Sequence, residues 1–386
     1  MMQPEAAPLS PENGHLLRMI RDAGLHAPES LTMMVTGNCN LSCRHCWLNC
    51  HTLDSSPPVP AKKVTGAINE FAQLGGARIT LTGGEILTHP DWSDILRFSL
   101  DHPHIHGVTL QTNAALIAPK QIAELGKMCL DKLTIQVSVD GACAQSHDYI
   151  RGRGSFADAM TGIGHLVEAG LGPRMQVAFT EMAHNCTELP QLLKSIDKLG
   201  IARLISGTLV KGGRAAGSSH MRLPTPDQYQ ELIRLYHTDA EFKALYDKKG
   251  RISAIEWYKN RTEPAVEGCC NCLQNMFLDT RGSLYPCTML LLEQFASNSV
   301  YDRPMRLVIE ESLSKWSDIS ILSRTRQNTI KSCRQCADKQ HCGGGCMGRA
   351  ATVQGELMAP EDRCALRKAV FRWKMLSGVE LQKKGC

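Results

Sequence analysis

The sequence predicts an α/β protein: a partial (β/α)6 parallel barrel followed by a cysteine-rich C-terminal region. Three observations carry this. Between Leu31 and Leu209, apolar strand-like runs alternate six times with helical stretches, the rhythm of a parallel sheet with right-handed crossovers, and six units fall short of a closed eight-unit barrel. The polar and glycine-rich motifs of that span follow the runs, at the strand ends where such folds keep their ligands. Most of the 17 cysteines fall in two groups, 39–50 and 269–364.

Taken in order, residues 1–30 form an N-terminal extension in which Leu16–Ile20 reads as a short helix. The first strand, Leu31–Val35, feeds a polar loop. A Pro-rich link, Ser55–Pro60, precedes a helix with Val64, Ala67, Ile68, Phe71 and Leu74 on one face; Pro60 or Ala61 starts it and Gly75 ends it. Strand Ala77–Leu81 closes on Thr82-Gly83-Gly84-Glu85, and helix Asp91–Leu100 follows. Strand Val108–Gln111 runs into Thr112-Asn113. Helix Lys120–Met128 comes next, with Cys129 reading as a core thiol on its face. Strand Leu133–Val139 alternates cleanly and ends at Asp140-Gly141, where Asp140 reads as a turn cap. Helix Phe156–Glu168, strand Met175–Phe179, helix Leu189–Leu199 and strand Ala202–Leu209 complete the units, with Gly212–Arg214 beyond the last. A helix from Asp227 to Tyr246 leads out. After Pro264 the rhythm stops, so the expected units are 1–30, 31–260 and 261–386, the last with a C-terminal helix.

Composition bounds the function. Hydrophobic residues make up 43% and charged residues 21%, a globular protein with a sizeable core. A net charge of +5 without a Lys/Arg block implies no nucleic-acid partner. The N-terminus has no signal-peptide pattern, and no apolar run reaches the ~18 residues of a membrane span. The expectation is a cytoplasmic protein whose cysteines are metal ligands sooner than disulfides.

Cys39, Cys43 and Cys46 can all point into one small volume. A closed zinc or iron–sulfur site takes four ligands, so three leave a coordination position open. This spacing, on the loop after strand one, resembles the signature of radical S-adenosylmethionine (SAM) enzymes. The resemblance implies a [4Fe-4S] cluster whose unique iron chelates SAM, and a 5′-deoxyadenosyl radical made by reductive cleavage. It sets His45 against the adenine and Gly83-Gly84-Glu85 at the cofactor's ammonium group. It gives Ser138 a contact with the ribose or carboxylate, with Asn113, at the corresponding end of strand three, as a second candidate. Arg151 or Arg153 is either the partner of the methionine carboxylate or a solvated loop arginine. The competing account is a zinc site completed by Cys50 or His51.

The second group runs Cys272-x9-Gly282-x4-Cys287, then Cys333-x2-Cys336-x5-Cys342-x3-Cys346, then Cys364. Phe277–Leu284 reads as a hairpin with its turn at Arg281-Gly282. The pattern resembles the SPASM domain. That implies two auxiliary [4Fe-4S] clusters, one on Cys272, Cys287 and Cys346 with Cys269 or Cys270, the other on Cys333, Cys336, Cys342 and Cys364. Zinc sites are again the alternative. Three clusters and SAM are thus the expected cofactors.

Relatives of this type mostly modify peptides or small proteins, so the expected enzyme is a maturase of ribosomally made peptides. A flavodoxin or ferredoxin would supply electrons. Thr288 stands where anaerobic sulfatase-maturing enzymes carry an aspartate, which disfavours that assignment. The thirty residues before strand one are too few for a leader-binding domain, so a separate protein or the barrel itself would meet a leader. The alternatives are modification of a tetrapyrrole or metal cofactor, and a non-catalytic metal-binding scaffold.

Overall fold

The computed structural model describes residues 10–50, 57–265 and 272–374. Its strands are β1 (Ser30–Met34), β2 (Arg78–Thr82), β3 (Gly107–Thr112), β4 (Leu133–Ser138), β5 (Met175–Glu181), β6 (Arg203–Thr208), β7 (Gly250–Arg251), β8 (Asn275–Leu278) and β9 (Leu284–Tyr285). They form one sheet in the order β7-β6-β5-β4-β3-β2-β1-β8-β9. Strands β1 to β6 are parallel and in chain order, the predicted partial barrel.

Alternation along the strands decides what faces where. In β4 the buried set is Leu133, Ile135 and Val137, while Gln136 and Ser138 line the barrel cavity. In β5, Met175, Val177 and Phe179 are buried, and Thr180 lines the cavity. The apolar core therefore lies largely between sheet and helices, leaving a polar lining inside the barrel.

Helix ends differ from the predictions for local reasons. The N-terminal helix is longer, Pro11–Asp22, with the Ser10 hydroxyl accepting from Asn13 N (3.2 Å) and Leu16 and Ile20 buried. The predicted 227–246 helix is two, Pro226–Thr238 and Ala240–Lys249. Asp239 leaves helical geometry (φ −109°, ψ 104°), and its carboxylate caps the second helix at Phe242 N (2.9 Å). The Pro119–Leu125 helix stops short of Cys129, which is exposed rather than in the core.

The chain does not leave the sheet at 260. β8 joins the barrel's edge, parallel to β1, with Thr32 opposite Phe277. β9 returns antiparallel as the predicted hairpin, with Gly282 at φ +89°, where a Cβ would strike the Tyr301 ring. A 25-residue helix, Met305–Thr329, follows and was not predicted. Its buried residues Met305, Val308, Ile309, Ser312, Leu313, Trp316, Ile319 and Ser323 carry the helical period, masked in the sequence by serines on the inner face. No described helix is long and apolar enough to cross a membrane.

Candidate active site

At the C-terminal ends of β1 to β6 lies a cavity of about 510 Å³. It is lined by Cys39, Cys43, His45, Cys46, Gly83, Gly84, Glu85, Asn113, Ser138 and Arg151 of the residues singled out from the sequence, while Arg153 is exposed and outside it.

The cysteine loop is held by backbone. Val35 N donates to Thr82 O (3.0 Å), Gly84 N to Thr36 O (2.8 Å) and Glu85 N to Asn38 O (2.8 Å). A Cβ on Gly83 would lie 2.7 Å from Thr36 O, and one on Gly84 2.7 Å from Gly37 O and closer still to Asn38 O. The glycines let the two loops touch, a structural demand beyond any approach to a cofactor. Glu85 points inward: its carboxylate accepts from Leu87 N (3.1 Å), the Thr112 hydroxyl (2.8 Å) and Asn113 N (2.7 Å). Burial raises its pKa against those bonds. Asn113 then donates to the Asn40 side chain (2.8 Å), tying β3 to the cysteine loop.

Two residues have roles the sequence reading missed. Asp140 is fully buried and is the hub of the mouth, not simply a turn cap. Its Oδ2 accepts from Arg151 Nε (2.7 Å) and lies 3.0 Å from His45 Nε2, while Oδ1 accepts from Thr180 N (2.7 Å). Burial pushes its carboxyl up, but Arg151 and His45 outweigh that and hold it far below the carboxylate range. Arg151 is thus a buried ion-pair partner and not a solvated loop residue. His45 Nδ1 is buried and has no hydrogen-bond partner among the described residues. Arg214 donates from Nε to Cys43 O (2.7 Å) and from Nη1 to Cys50 O. Beside it, Gly213 (φ +54°) lies against the Cys46 and Trp47 carbonyls. A Gly-Gly-Arg at a strand end was the available signal.

Burial pushes the Cys39 thiol up to about 12 and raises that of Cys43 against the pull of Arg151. Cys46 moves the other way because the Cys50 thiol hydrogen-bonds to it, and Cys50 rises correspondingly. Cys50 is buried and lines the cavity.

A second cavity, of about 260 Å³, is lined by Cys333, Cys336, Cys342 and Cys364 with Asp338, Glu361 and Arg367. Cys272 and Cys287 are buried, their segments joined by Leu273 N to Pro286 O (2.7 Å). Cys346 stands just before the Met347–Gln354 helix, where a Cβ on Gly348 would lie 2.7 Å from the Met289 side chain. Met289 also lines the first cavity, so the Cys287 turn adjoins the barrel mouth. Cys269, Cys270 and His51 lie outside the described residues. Among the described residues, no three Cys, His, Asp or Glu side chains converge on a single-ion site. Cys39, Cys43 and Cys46, and likewise Cys333, Cys336, Cys342 and Cys364, instead line cavities, which suits a bulkier cluster.

A partial barrel with three cysteines on the β1 loop, extended by a cysteine-rich region, defines a class, and residues 33–184 match the Radical SAM superfamily. By that domain the chain is a radical SAM enzyme, and its likeness to a maturase of this kind and to the SuiB fold runs over most of its length. It is similar to the AdoMet-dependent heme synthase of Nitratidesulfovibrio vulgaris, 25% identical over 353 residues, covering 86% of this chain and 91% of that protein. It is also similar to the mycofactocin maturase MftC of Mycobacterium ulcerans, 27% identical over 356 residues, covering 88% and 89%. The fold matches Streptococcus suis SuiB bound to S-adenosylmethionine at a TM-score of 0.69, with 15% identity and 93% and 81% coverage. SuiB has also been solved with its precursor peptide SuiA (TM-score 0.67, 16% identity, 93% and 80% coverage).

Proposed function

We propose that this radical SAM enzyme matures a peptide or small protein by abstracting a hydrogen atom from it. In this reading Cys39, Cys43 and Cys46 hold the first [4Fe-4S] cluster, Gly83, Gly84, Glu85, Asn113 and Ser138 border bound SAM, and His45 Nδ1 is left to hydrogen-bond with it. Residues 31–260 form the radical unit and 261–386 the SPASM unit. Cys272, Cys287 and Cys346, with Cys269 or Cys270, hold one auxiliary cluster, and Cys333, Cys336, Cys342 and Cys364 the other. The bound groups supply a SAM-derived 5′-deoxyadenosyl radical; the chain supplies a dry, oriented chamber. A flavodoxin or ferredoxin in a reducing cytoplasm would serve as donor.

The observation that carries the peptide reading is the charge state of the chamber. The basic side chains among its described lining residues are Arg151, Arg214 and His45. Arg151 and His45 are engaged by Asp140, and Arg214 by the Cys43 and Cys50 carbonyls. A tetrapyrrole precursor brings several carboxylates, and burying those needs cations to pair with. The remaining lining, with Gln111, Gln136, Thr180 and Ser206 inside and Trp47, Leu48, Val210 and Met289 near the cysteine loop, suits an uncharged peptide segment. Likeness to MftC and SuiB agrees. The likeness to heme synthase favours a second reading, tetrapyrrole modification.

Anaerobically reconstituted protein is expected to cleave SAM under reduction, and Cys43→Ala to abolish cleavage; equal cleavage by the variant sinks the assignment. A porphyrin absorbance in the purified protein would favour the second reading.

A further inference from the structure

Between the two groups of C-terminal cysteines lies a buried set of charges that does not balance. Glu361, fully buried, is its one carboxylate among the described residues. Its Oε2 accepts from Arg363 Nη2 (2.7 Å) and from Cys346 N (2.9 Å), and its Oε1 from Arg367 Nε. Arg326, 1% exposed, donates to the carbonyls of Gly344 (2.9 Å), Ala359 (2.9 Å) and Leu357 and makes no ion pair among the described residues. The neighbouring Asp362 is committed to Arg349 (2.9 Å) and Asp338 to Arg372 (2.8 Å). Among the described residues, Arg363 and Arg367 therefore share one carboxylate, and Arg326 beside them has none.

Two of those guanidiniums also keep a buried donor without a hydrogen-bond partner among the described residues, Arg326 Nε and Arg363 Nε. Buried charges are ordinarily paired and buried donors bonded. Net positive charge with spare N–H groups therefore implies that an anion completes the site. A cluster ligated by four thiolates is an anion, and reduction adds one more negative charge. Nearby positive charge and hydrogen bonds to its sulfurs favour the reduced form.

The arrangement also separates the two sites. Arg363 and Cys346 meet at the same oxygen of Glu361. Arg367 lines the cavity of Cys333, Cys336, Cys342 and Cys364.

We propose that this network raises the reduction potentials of the auxiliary clusters, Arg363 acting on the one that includes Cys346 and Arg367 on the one that includes Cys342. Arg326 braces both by its charge. Such clusters are poised to accept electrons. The inference rests on the cluster assignment made under the proposed function.

The test is an EPR-monitored redox titration of anaerobically reconstituted full-length protein, with signals assigned in Cys287→Ala and Cys336→Ala backgrounds. In Arg367→Gln the reduced-to-oxidised ratio of the second auxiliary cluster at fixed potential is expected to fall about tenfold, roughly 59 mV for a one-electron couple, with less change in the first. Arg363→Gln should reverse that order. Arg363→Lys and Arg367→Lys keep the charge and should largely restore the potentials, which a purely structural role would not predict. If one Gln variant loses its cluster, the other decides. Full iron content with unmoved potentials overturns this inference alone. A parent protein with no iron beyond the first cluster overturns the cluster assignment as well.

Discussion

The barrel mouth and the C-terminal cysteine region hold their thiols in opposite ways. At the mouth the backbone does the holding: β2 and the β6 loop grip the Cys39–Cys50 segment through glycines and carbonyls, over a sheet whose helix side is packed with apolar residues. From 331 to 363 the buried apolar side chains are Met347, Ala350 and Ala351. Two four-residue helices, Lys331–Arg334 and Lys339–Cys342, carry Cys333 and Cys342, and Gly343, Gly344 and Gly345 all have positive φ. There, side-chain charges replace packing. A site gripped by a packed sheet exists before its ligand arrives, whereas one with little core draws part of its folding free energy from the ligand.

Withholding iron is the strongest way to break that contrast. Hydrogen exchange of iron-free protein is expected to show the amides of 331–363 losing protection while β1 to β6 keep theirs. Equal protection in both would place the C-terminal region with the barrel as a preformed site. Next in size is Asp140→Ala, which leaves Arg151 buried without its carboxylate. Removing one partner of a buried pair costs about 3–5 kcal/mol, to be read from chemical denaturation. A loss below ~1 kcal/mol, the range of an exposed pair, would mean that Arg151 is served by other groups at the mouth.

The same contrast explains what was legible in the sequence. The six barrel strands and the cavity residues were readable because strand ends, glycine pairs and cysteine spacing are local in sequence. Asp140 was read as a turn cap because its partners, His45 and Arg151, are set by the fold rather than by spacing. Arg214 was visible only as part of a strand-end motif, since what it grips lies across the barrel mouth. In the C-terminal region cysteine spacing identified the thiols. The Arg326, Glu361, Arg363 and Arg367 network was not legible, because charged residues in a sequence look solvated until burial is known. The Met305–Thr329 helix escaped because its inner face carries Ser312, Ser320 and Ser323 among apolar residues, weakening the periodic signal.

The smaller predictions sharpen the claim that backbone contact defines the mouth. Gly84→Ala places a methyl group against the Gly37 and Asn38 carbonyls. Overpacking against backbone costs about 1–3 kcal/mol, and the displaced loop should also lower the iron retained by Cys39, Cys43 and Cys46. Gly66→Ala is the counterpart. Gly66 lies inside the Ala61–Gln73 helix, and a Cβ there meets nothing within 4 Å. Alanine loses less backbone entropy than glycine in a helix, so this variant should gain about 0.5–1 kcal/mol, seen as a higher urea midpoint with unchanged iron content. If both glycines responded alike, the loss at Gly84 would reflect helix and turn propensity rather than the closeness of the cysteine loop.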